Sequence, residues 1–367
     1  MRIVSLMLLA IVCTQESAAP RQVVHVGIWP GARMPNTVTV TGELAISAAG
    51  KRWKASRLHC VVTGTSISAI GLGQASTIRI DSENTITVQA DQRLFTARGA
   101  LRLTAAKDHI SCDFILPLED YTARVLTREM PVDWPPQALA AQAVVARSYA
   151  LNSKNRHRNE GFDVCALTHC QLVSATPPPK VATQAARQTT GQVLSIAGQP
   201  VAPPFHSTCG GATTDGGNIG MAAWCESISD NHACQQSPHY RWKARLTYNE
   251  IASIFRVGLD NHRQAGLNIT QKDAGGHVVQ IVGNGRTKKS LNGGQFLMAC
   301  GRTLGWARIK SCFFTSTKTA NGYLITGRGL GHGVGMCQWG ARGIAENGRS
   351  WQQILKTYYP KAQPKRL

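Results

Sequence analysis

Acidic side chains are scarce in this chain: 20 Asp and Glu stand against 40 Lys and Arg, a net charge of +20. Such a surface draws in polyanions over long range. Aromatic residues are few as well, at 6%. No basic run is interleaved with aromatics and no RNP-like signature occurs, which argues against nucleic acid as a partner. Anionic polymers of a cell envelope fit the charge better. Several catalytic signatures are missing too. Without a G-x-S-x-G, an H-E-x-x-H or a P-loop, serine hydrolase, zincin and NTPase chemistry lack their usual residues. There is no C-x-x-C, no internal repeat and no low-complexity tract. The composition is globular, 43% apolar and 16% charged over 367 residues, enough for a real core and for two lobes.

The first residues read as an export signal. Met1-Arg2 gives a short positive start, and Ser17-Ala18-Ala19 supplies small residues for cleavage. Between them, Ile3 to Val12 is apolar but too short to span a membrane as a mature helix. Residues 1–19 are therefore expected to be removed. That leaves an exported protein of the periplasm, envelope or medium, with no stable membrane span. An uncleaved anchor is the alternative; lipid attachment at Cys13 is disfavoured by Ala10-Ile11-Val12 before it. Losing Cys13 takes one of 11 cysteines and leaves an even number. In an exported chain that points to disulfides, metal ligation or both. Cys225 with Cys234, and Cys300 with Cys312, are close enough in sequence to be natural disulfide pairs.

Residues 20–115 read as β-rich. Val23 to Ile28, Thr37 to Val40, Thr77 to Ile80 and Thr85 to Val88 are short β-branched runs separated by turn residues, as in a small sheet or sandwich. The texture changes near Pro117. Leu118, Tyr121, Val125 and Leu126 recur at helical spacing, with Glu119 and Asp120 in the first turn, where the helix dipole favours them. Pro131 ends this helix near Met130. A second helix starts around Trp134-Pro135-Pro136 and runs to Ala150, apolar almost all round and so buried. Pro177-Pro178-Pro179 is a stiff link, Lys180 to Thr190 another helix, and Trp351 to Tyr358 a last one. Residues 192–335 read as mixed, with many short strand-like runs.

Glu129 is the residue out of place. It lies about three turns after Leu118, above Val125 and Leu126, so a carboxylate sits on a face that should be buried. It also sits in the last turn, where the dipole disfavours negative charge. Desolvation and dipole both raise its pKa, as a general acid near neutral pH requires. The plain alternative is an ordinary helix-end glutamate paired with Arg147 or another base. Gln142 and Arg147 interrupt the apolar second helix, and they either line a polar cleft or tie the helix to a loop. Gly327 to Gly335 has glycine at every second position. If extended, one face is bare backbone that a ligand or helix can approach; a glycine-rich hairpin is the alternative. His157, Cys165, His169 and Cys170 offer two imidazoles and two thiolates, a closed tetrahedral zinc set. A Cys165–Cys170 disulfide is the rival.

Four ordered segments resemble one family, the SpoIID/LytB type of peptidoglycan lytic transglycosylase. They are Leu116 to Tyr121 continuing through Arg128-Glu129-Met130-Pro131 to Ala150; Phe162 to Cys165 with His169-Cys170-Gln171; Phe205 to Thr213; and Gly327 to Ala341 followed by Tyr358-Tyr359-Pro360. The resemblance implies that Glu129 is the catalytic acid/base. It implies a cleft lined by Gln142, Arg147, His206, Ser207, His332 and Gln338. It also implies structural zinc at the Cys/His cluster, and no organic cofactor. Cys209 and Cys337 stand where many relatives have small hydroxyl residues, and a disulfide between them would join two cleft segments.

The implied reaction needs one carboxylate where ordinary glycosidases need two, because the nucleophile is the substrate's own muramyl C6 hydroxyl. The implied partner is the peptidoglycan glycan strand. A non-catalytic wall-binding or amidase-modifying role, with a cell-wall amidase as partner, is the second reading. A hydrolase is the third, with Asp120, Asp133 or Asp163 as second carboxylate. The expected architecture is α+β: a β-rich N-terminal part (20–115) packed on a larger mixed catalytic part with buried helices (116–367).

Overall fold

A computed structural model describes residues 22–367. The expected signal at 1–19, with Cys13, lies outside the described residues. Strands come first: β1 (Val23–Gly27), β2 (Thr37–Ala48), β3 (Lys51–Thr63), β4 (Ser66–Ala69), β5 (Gly73–Ala75), β6 (Thr77–Asp81), β7 (Thr85–Ala90), β8 (Arg93–Arg98), β9 (Ala100–Ala106) and β10 (His109–Pro117). Each β-branched run of the sequence sits in one of them, except that Ile28 falls one residue past β1. Alternation sets which side chains turn inward: β7 buries Ile86, Val88 and Ala90 and exposes Thr85 and Gln89. The sheet order is β1-β10-β9-β6-β2-β3-β4-β5, with β7 also on β2 and β8 on β7, all antiparallel.

Strand β10 runs directly into α1 (Leu118–Glu129), so the 115/116 division falls within a strand. Leu118, Tyr121 and Val125 of α1 join the apolar core of the sheet. Helix α2 (Pro136–Asn152) has proline in its first turn and is buried on nearly all sides. The short β11 (Val164–Cys165) returns to pair parallel with β1. Then come α3 (Lys180–Gln188), β12 (Gln192–Ile196), β13 (Gln199–Pro200) and β14 (Phe205–His206).

Residues 242–327 build a separate core from β15 (Trp242–Thr247), α4 (Tyr248–Phe255), β16 (Gly266–Lys272), β17 (Val278–Asn284), β18 (Lys288–Asn292), α5 (Gly293–Leu304), β19 (Phe314–Thr319) and β20 (Gly322–Gly327). The chain then returns through β21 (Met336–Cys337), α6 (Gln338–Glu346), α7 (Trp351–Tyr358) and β22 (Gln363–Arg366). Helices α6 and α7 share a core with α2. Strand β21 pairs parallel with β14, and β22 pairs with β12. So the larger part holds two cores. Among the described residues no helix is long and apolar enough to cross a membrane.

Helices α4, α5 and α6 were not expected from periodicity. Capping boxes at Thr247/Glu250 and Asn292/Gln295 start α4 and α5, but both helices are short and α5 opens on two glycines. The glycine run is not an extended strand. Gly329, Gly331, Gly333 and Gly335 take φ of 81°, 110°, 82° and 70°, a backbone that residues with a Cβ avoid. A Cβ at Gly329 or Gly335 would run into Thr208 O or Pro204 O. The glycines thus let this segment lie against residues 204–209, so close backbone approach is their use, in coil rather than sheet.

Candidate active site

Glu129 ends α1, and Val125 and Leu126 beneath it are fully buried. Met130 leaves helical space with φ −134° and ψ 146°. The Glu129 carbonyl is then free to accept a hydrogen bond from Gln338 Nε2 at 3.0 Å. The Glu129 side chain is half-buried. Its Oε1 accepts the Leu172 N–H at 3.0 Å. Burial pushes the carboxyl above the usual carboxylate range, and the Leu172 bond and the Arg128 charge only partly oppose it. Since Oε1 is held as an acceptor, a proton on this group belongs on Oε2.

Gln338 reaches Glu129 from the first turn of α6. The same Nε2 lies 3.4 Å from Gln142 Oε1 on α2, so Gln142 and Gln338 meet beside Glu129. Gln142 Nε2 is buried without a hydrogen-bond partner. Beyond Leu172, Gln171 Oε1 accepts the Tyr121 hydroxyl at 2.8 Å. Sequence reasoning missed a neighbouring aromatic pair: Trp134 and Trp339 meet edge to face at 4.9 Å, with the Arg342 guanidinium 5.0 Å from the Trp339 ring. The only signal was that Trp339 follows Gln338.

Arg147 is not a cleft residue, and it does not pair with Glu129. Its Nε and Nη2 clamp Glu119 at 3.0 and 2.5 Å. Its remaining donors reach Ala143 O, Ala186 O, Gln192 O and Thr189 Oγ1. All five donors are spent inside the protein, leaving none for a substrate.

His206 and His332 meet with ring centroids 5.4 Å apart. His206 Nδ1 bonds Val334 O at 3.1 Å. His332 Nε2 bonds Phe205 O at 2.8 Å, and its Nδ1 accepts the Val334 N–H. Burial and the neighbouring imidazole lower His206 to about 3; burial lowers His332 to about 4. Both are neutral near pH 7, and His206 Nε2 is buried without a partner. Ser207 follows His206, its Oγ 3.3 Å from Thr208 Oγ1. The β14–β21 pair ties this group to Gln338, and through it to Glu129.

His157, Cys165, His169 and Cys170 place their ligand atoms within 4.8 Å of one another. Cys170 Sγ lies 3.4 Å from His157 Nε2 and 3.5 Å from His169 Nδ1. Glu160 holds His157 Nδ1 at 2.6 Å and so aims Nε2 at the cluster, as outer carboxylates do for metal-bound imidazoles. Cys165 and Cys170 are separate thiols. The neighbouring Cys165 thiol, with His157 and His169, draws Cys170 below the usual thiol range. This N2S2 donor set fits zinc. It sits next to Gln171 and Leu172, which face Tyr121 and Glu129.

The disulfide expectations are corrected. All ten cysteines among the described residues are free thiols. Cys225 accompanies Cys234 in one core, and Cys300 accompanies Cys312 in another, without bonding. Cys337 Sγ accepts the backbone N–H of Cys209 at 3.2 Å rather than bonding its sulfur. Of the three further carboxylates, Asp120 is held by Arg124 at 2.7 Å. Asp163 accepts the N–H groups of His25 and Asn155. Asp133 is exposed.

Comparison with known proteins finds relatives of this chain. The family model described as SpoIID, stage II sporulation protein, matches residues 110–195. A stage II sporulation protein D of Bacillus amyloliquefaciens is 30% identical over 266 residues, covering 66% of this chain and 73% of that protein. An uncharacterized protein of Brachyspira hyodysenteriae is 33% identical over 252 residues, 66% of this chain; the chain spans 65% of its length. The amidase enhancer of Bacillus subtilis is 26% identical over 284 residues, 64% of this chain but 39% of that protein. With the identity and coverage of the Bacillus amyloliquefaciens protein behind it, the chain belongs to the stage II sporulation protein D (SpoIID) family.

Proposed function

We propose that the chain is an exported lytic transglycosylase that cuts peptidoglycan glycan strands, with Glu129 as its single acid/base. One observation carries the reading: a half-buried helix-end carboxyl, raised by desolvation, with one oxygen held by the Leu172 N–H. Such a group is protonated where an ordinary glutamate is not. From Oε2, Glu129 gives its proton to the glycosidic oxygen as the C1–O bond breaks. The muramyl C6 hydroxyl then attacks C1, and the Glu129 carboxylate takes the hydroxyl proton. The sugar closes as a 1,6-anhydro ring, no water is consumed, and Glu129 ends as it began.

One carboxylate is enough for this sequence. Asp120 and Asp163 are engaged elsewhere, which weakens the hydrolytic alternative. Gln142 Nε2 and His206 Nε2, buried and unpartnered, are the groups free to meet sugar hydroxyls. The partly exposed Trp339 ring offers a face for a sugar. His157, Cys165, His169 and Cys170 would hold a zinc ion whose part, with four protein ligands, is to fix the segment that carries Leu172. The excess of basic residues suits an anionic wall.

The similarity to an amidase enhancer favours a second reading, a non-catalytic partner of a wall amidase. Purified protein and Glu129→Gln, each incubated with peptide-free glycan strands, separate the two. Anhydro-ended fragments that vanish in Glu129→Gln support the transglycosylase. Strands bound but uncut by both proteins, with an added amidase accelerated equally by both, support the second reading.

A further inference from the structure

A second cluster of metal-ligand type lies behind the glycine-rich segment, in residues that no comparison assigns. Cys209 follows β14, Asp230 and Cys234 come from one turn, and Cys337 caps α6. The four ligand atoms lie within 4.8 Å of one another, and all four residues are buried. Cys209 Sγ is 3.5 Å from Cys234 Sγ and 3.0 Å from Asp230 Oδ2. Four ligands around one zinc, with Zn–S of about 2.3 Å and Zn–O of about 2.0 Å, leave edges of roughly 3.5–3.8 Å. A disulfide would need sulfurs at about 2.05 Å.

The surroundings are built for thiolates. Gly340 N–H and Cys209 N–H both point at Cys337 Sγ, each at 3.2 Å, and Gly211 N–H points at Cys209 Sγ at 3.4 Å. Three backbone donors thus converge on two sulfurs, one of them at a helix N-terminus, where negative charge is favoured. The acid points the same way. Asp230 Oδ1 is buried with no hydrogen-bond partner, a costly state for a carboxylate unless a cation meets it. Close approach is built in as well: a Cβ at Gly340 would strike the Tyr358 hydroxyl and sit 2.8 Å from Asp230 Oδ2, and one at Gly343 would strike Ala233 O. Glycine at both positions lets the 230–234 turn close on α6.

We propose that Cys209, Asp230, Cys234 and Cys337 bind a structural zinc ion. Binding releases the three thiol protons to solvent and changes no oxidation state. Four protein ligands leave no open position, so the ion clamps rather than catalyses. It joins three segments. Cys209 is two residues from Ser207 and three from His206, Cys337 precedes Gln338, and the 230–234 turn already lies against the segment after β14 through the Asp230 N–H on Gly211 O. The clamp thereby sets the wall that reaches Glu129 through Gln338.

The test counts metal rather than activity, so it stands apart from the transglycosylase reading. Zinc is measured by mass spectrometry in the full chain purified without chelator, and in Cys209→Ser/Cys337→Ser. The serines keep a small polar side chain at both sites. A fall of one zinc per chain is expected, whatever the His157/Cys165/His169/Cys170 cluster holds. A second arm loads cobalt into Cys165→Ser/Cys170→Ser, where thiolate-to-cobalt charge-transfer bands and tetrahedral d–d bands are expected. Unchanged zinc in the first variant overturns the proposal, as does a cobalt spectrum without thiolate bands. Alkylation of unfolded, unreduced protein that leaves two of Cys209, Cys234 and Cys337 unmodified also overturns it, in favour of a disulfide.

Discussion

Replacing Arg147 by methionine takes a fully buried guanidinium out of a site where all five donors are used. Removing one partner of a buried ion pair costs about 3–5 kcal/mol. Two features pull the figure to the low end. Glu119 is 31% exposed, so water regains part of its carboxylate. Ala143 and Ala186 O also keep backbone partners in α2 and at the end of α3. A loss of about 3 kcal/mol remains. At about 2–4 °C per kcal/mol for chains of 150–250 residues, and less for longer ones, the midpoint of this 367-residue chain falls by about 6 °C or somewhat less. Arg147→Lys keeps the charge without the planar fork and restores only part of this. The assay is thermal unfolding of the full chain at neutral pH, read by circular dichroism beside the KM for glycan strands. An unmoved midpoint with a large rise in KM would refute the reasoning and return Arg147 to the cleft.

Other expectations follow from the same contacts. Folding raises the Glu129 pKa, so the fold favours the protonated acid. That stabilisation is complete below the unfolded value of about 4.3 and is lost as pH rises through the higher folded value. Glu129→Gln, which does not ionise, therefore gains in midpoint relative to wild type between about pH 4 and pH 8; a flat or reversed difference contradicts the shift. The Arg128 charge lowers the same pKa, so Arg128→Gln moves the alkaline limb of kcat/KM to higher pH. Cys170→Ser is expected to lose one bound zinc per chain and to slow cleavage, because the cluster abuts the segment holding Glu129 through Leu172. Gly335→Ala forces a Cβ into a φ of 70° and against Pro204 O. It should cost at least about 1–2 kcal/mol in a chemical-denaturation midpoint.

Local patterns carried the sequence reading furthest. Helices α1, α2, α3 and α7 follow the apolar spacing and the prolines at 131, 136, 179 and 360. The half-buried carboxyl of Glu129 follows from Val125 and Leu126 beneath it. The Cys/His cluster was legible because its members are near in sequence and the turn at 157–163 folds them together. Long-range partners were not legible. Glu119, 28 residues away, claims Arg147. Cys209 meets Cys234 and Asp230 as well as Cys337, without a disulfide, and Cys225 is a free thiol, since sequence proximity does not place sulfurs. The glycine run misled because alternation implied a strand, whereas positive φ at Gly329, Gly331, Gly333 and Gly335 makes it coil. The core of 242–327 rests on two short helices, one of which opens on two glycines, and periodicity does not detect them.

Digestion of peptide-free glycan strands in heavy-oxygen water tests the central claim most directly. If Glu129 alone shuttles the proton and the muramyl C6 hydroxyl closes the ring, new ends carry the anhydro mass and no heavy oxygen, and Glu129→Gln makes none. Ends that carry heavy oxygen would contradict it, showing that water, activated by a second group, is the nucleophile; so would anhydro ends formed equally well by Glu129→Gln.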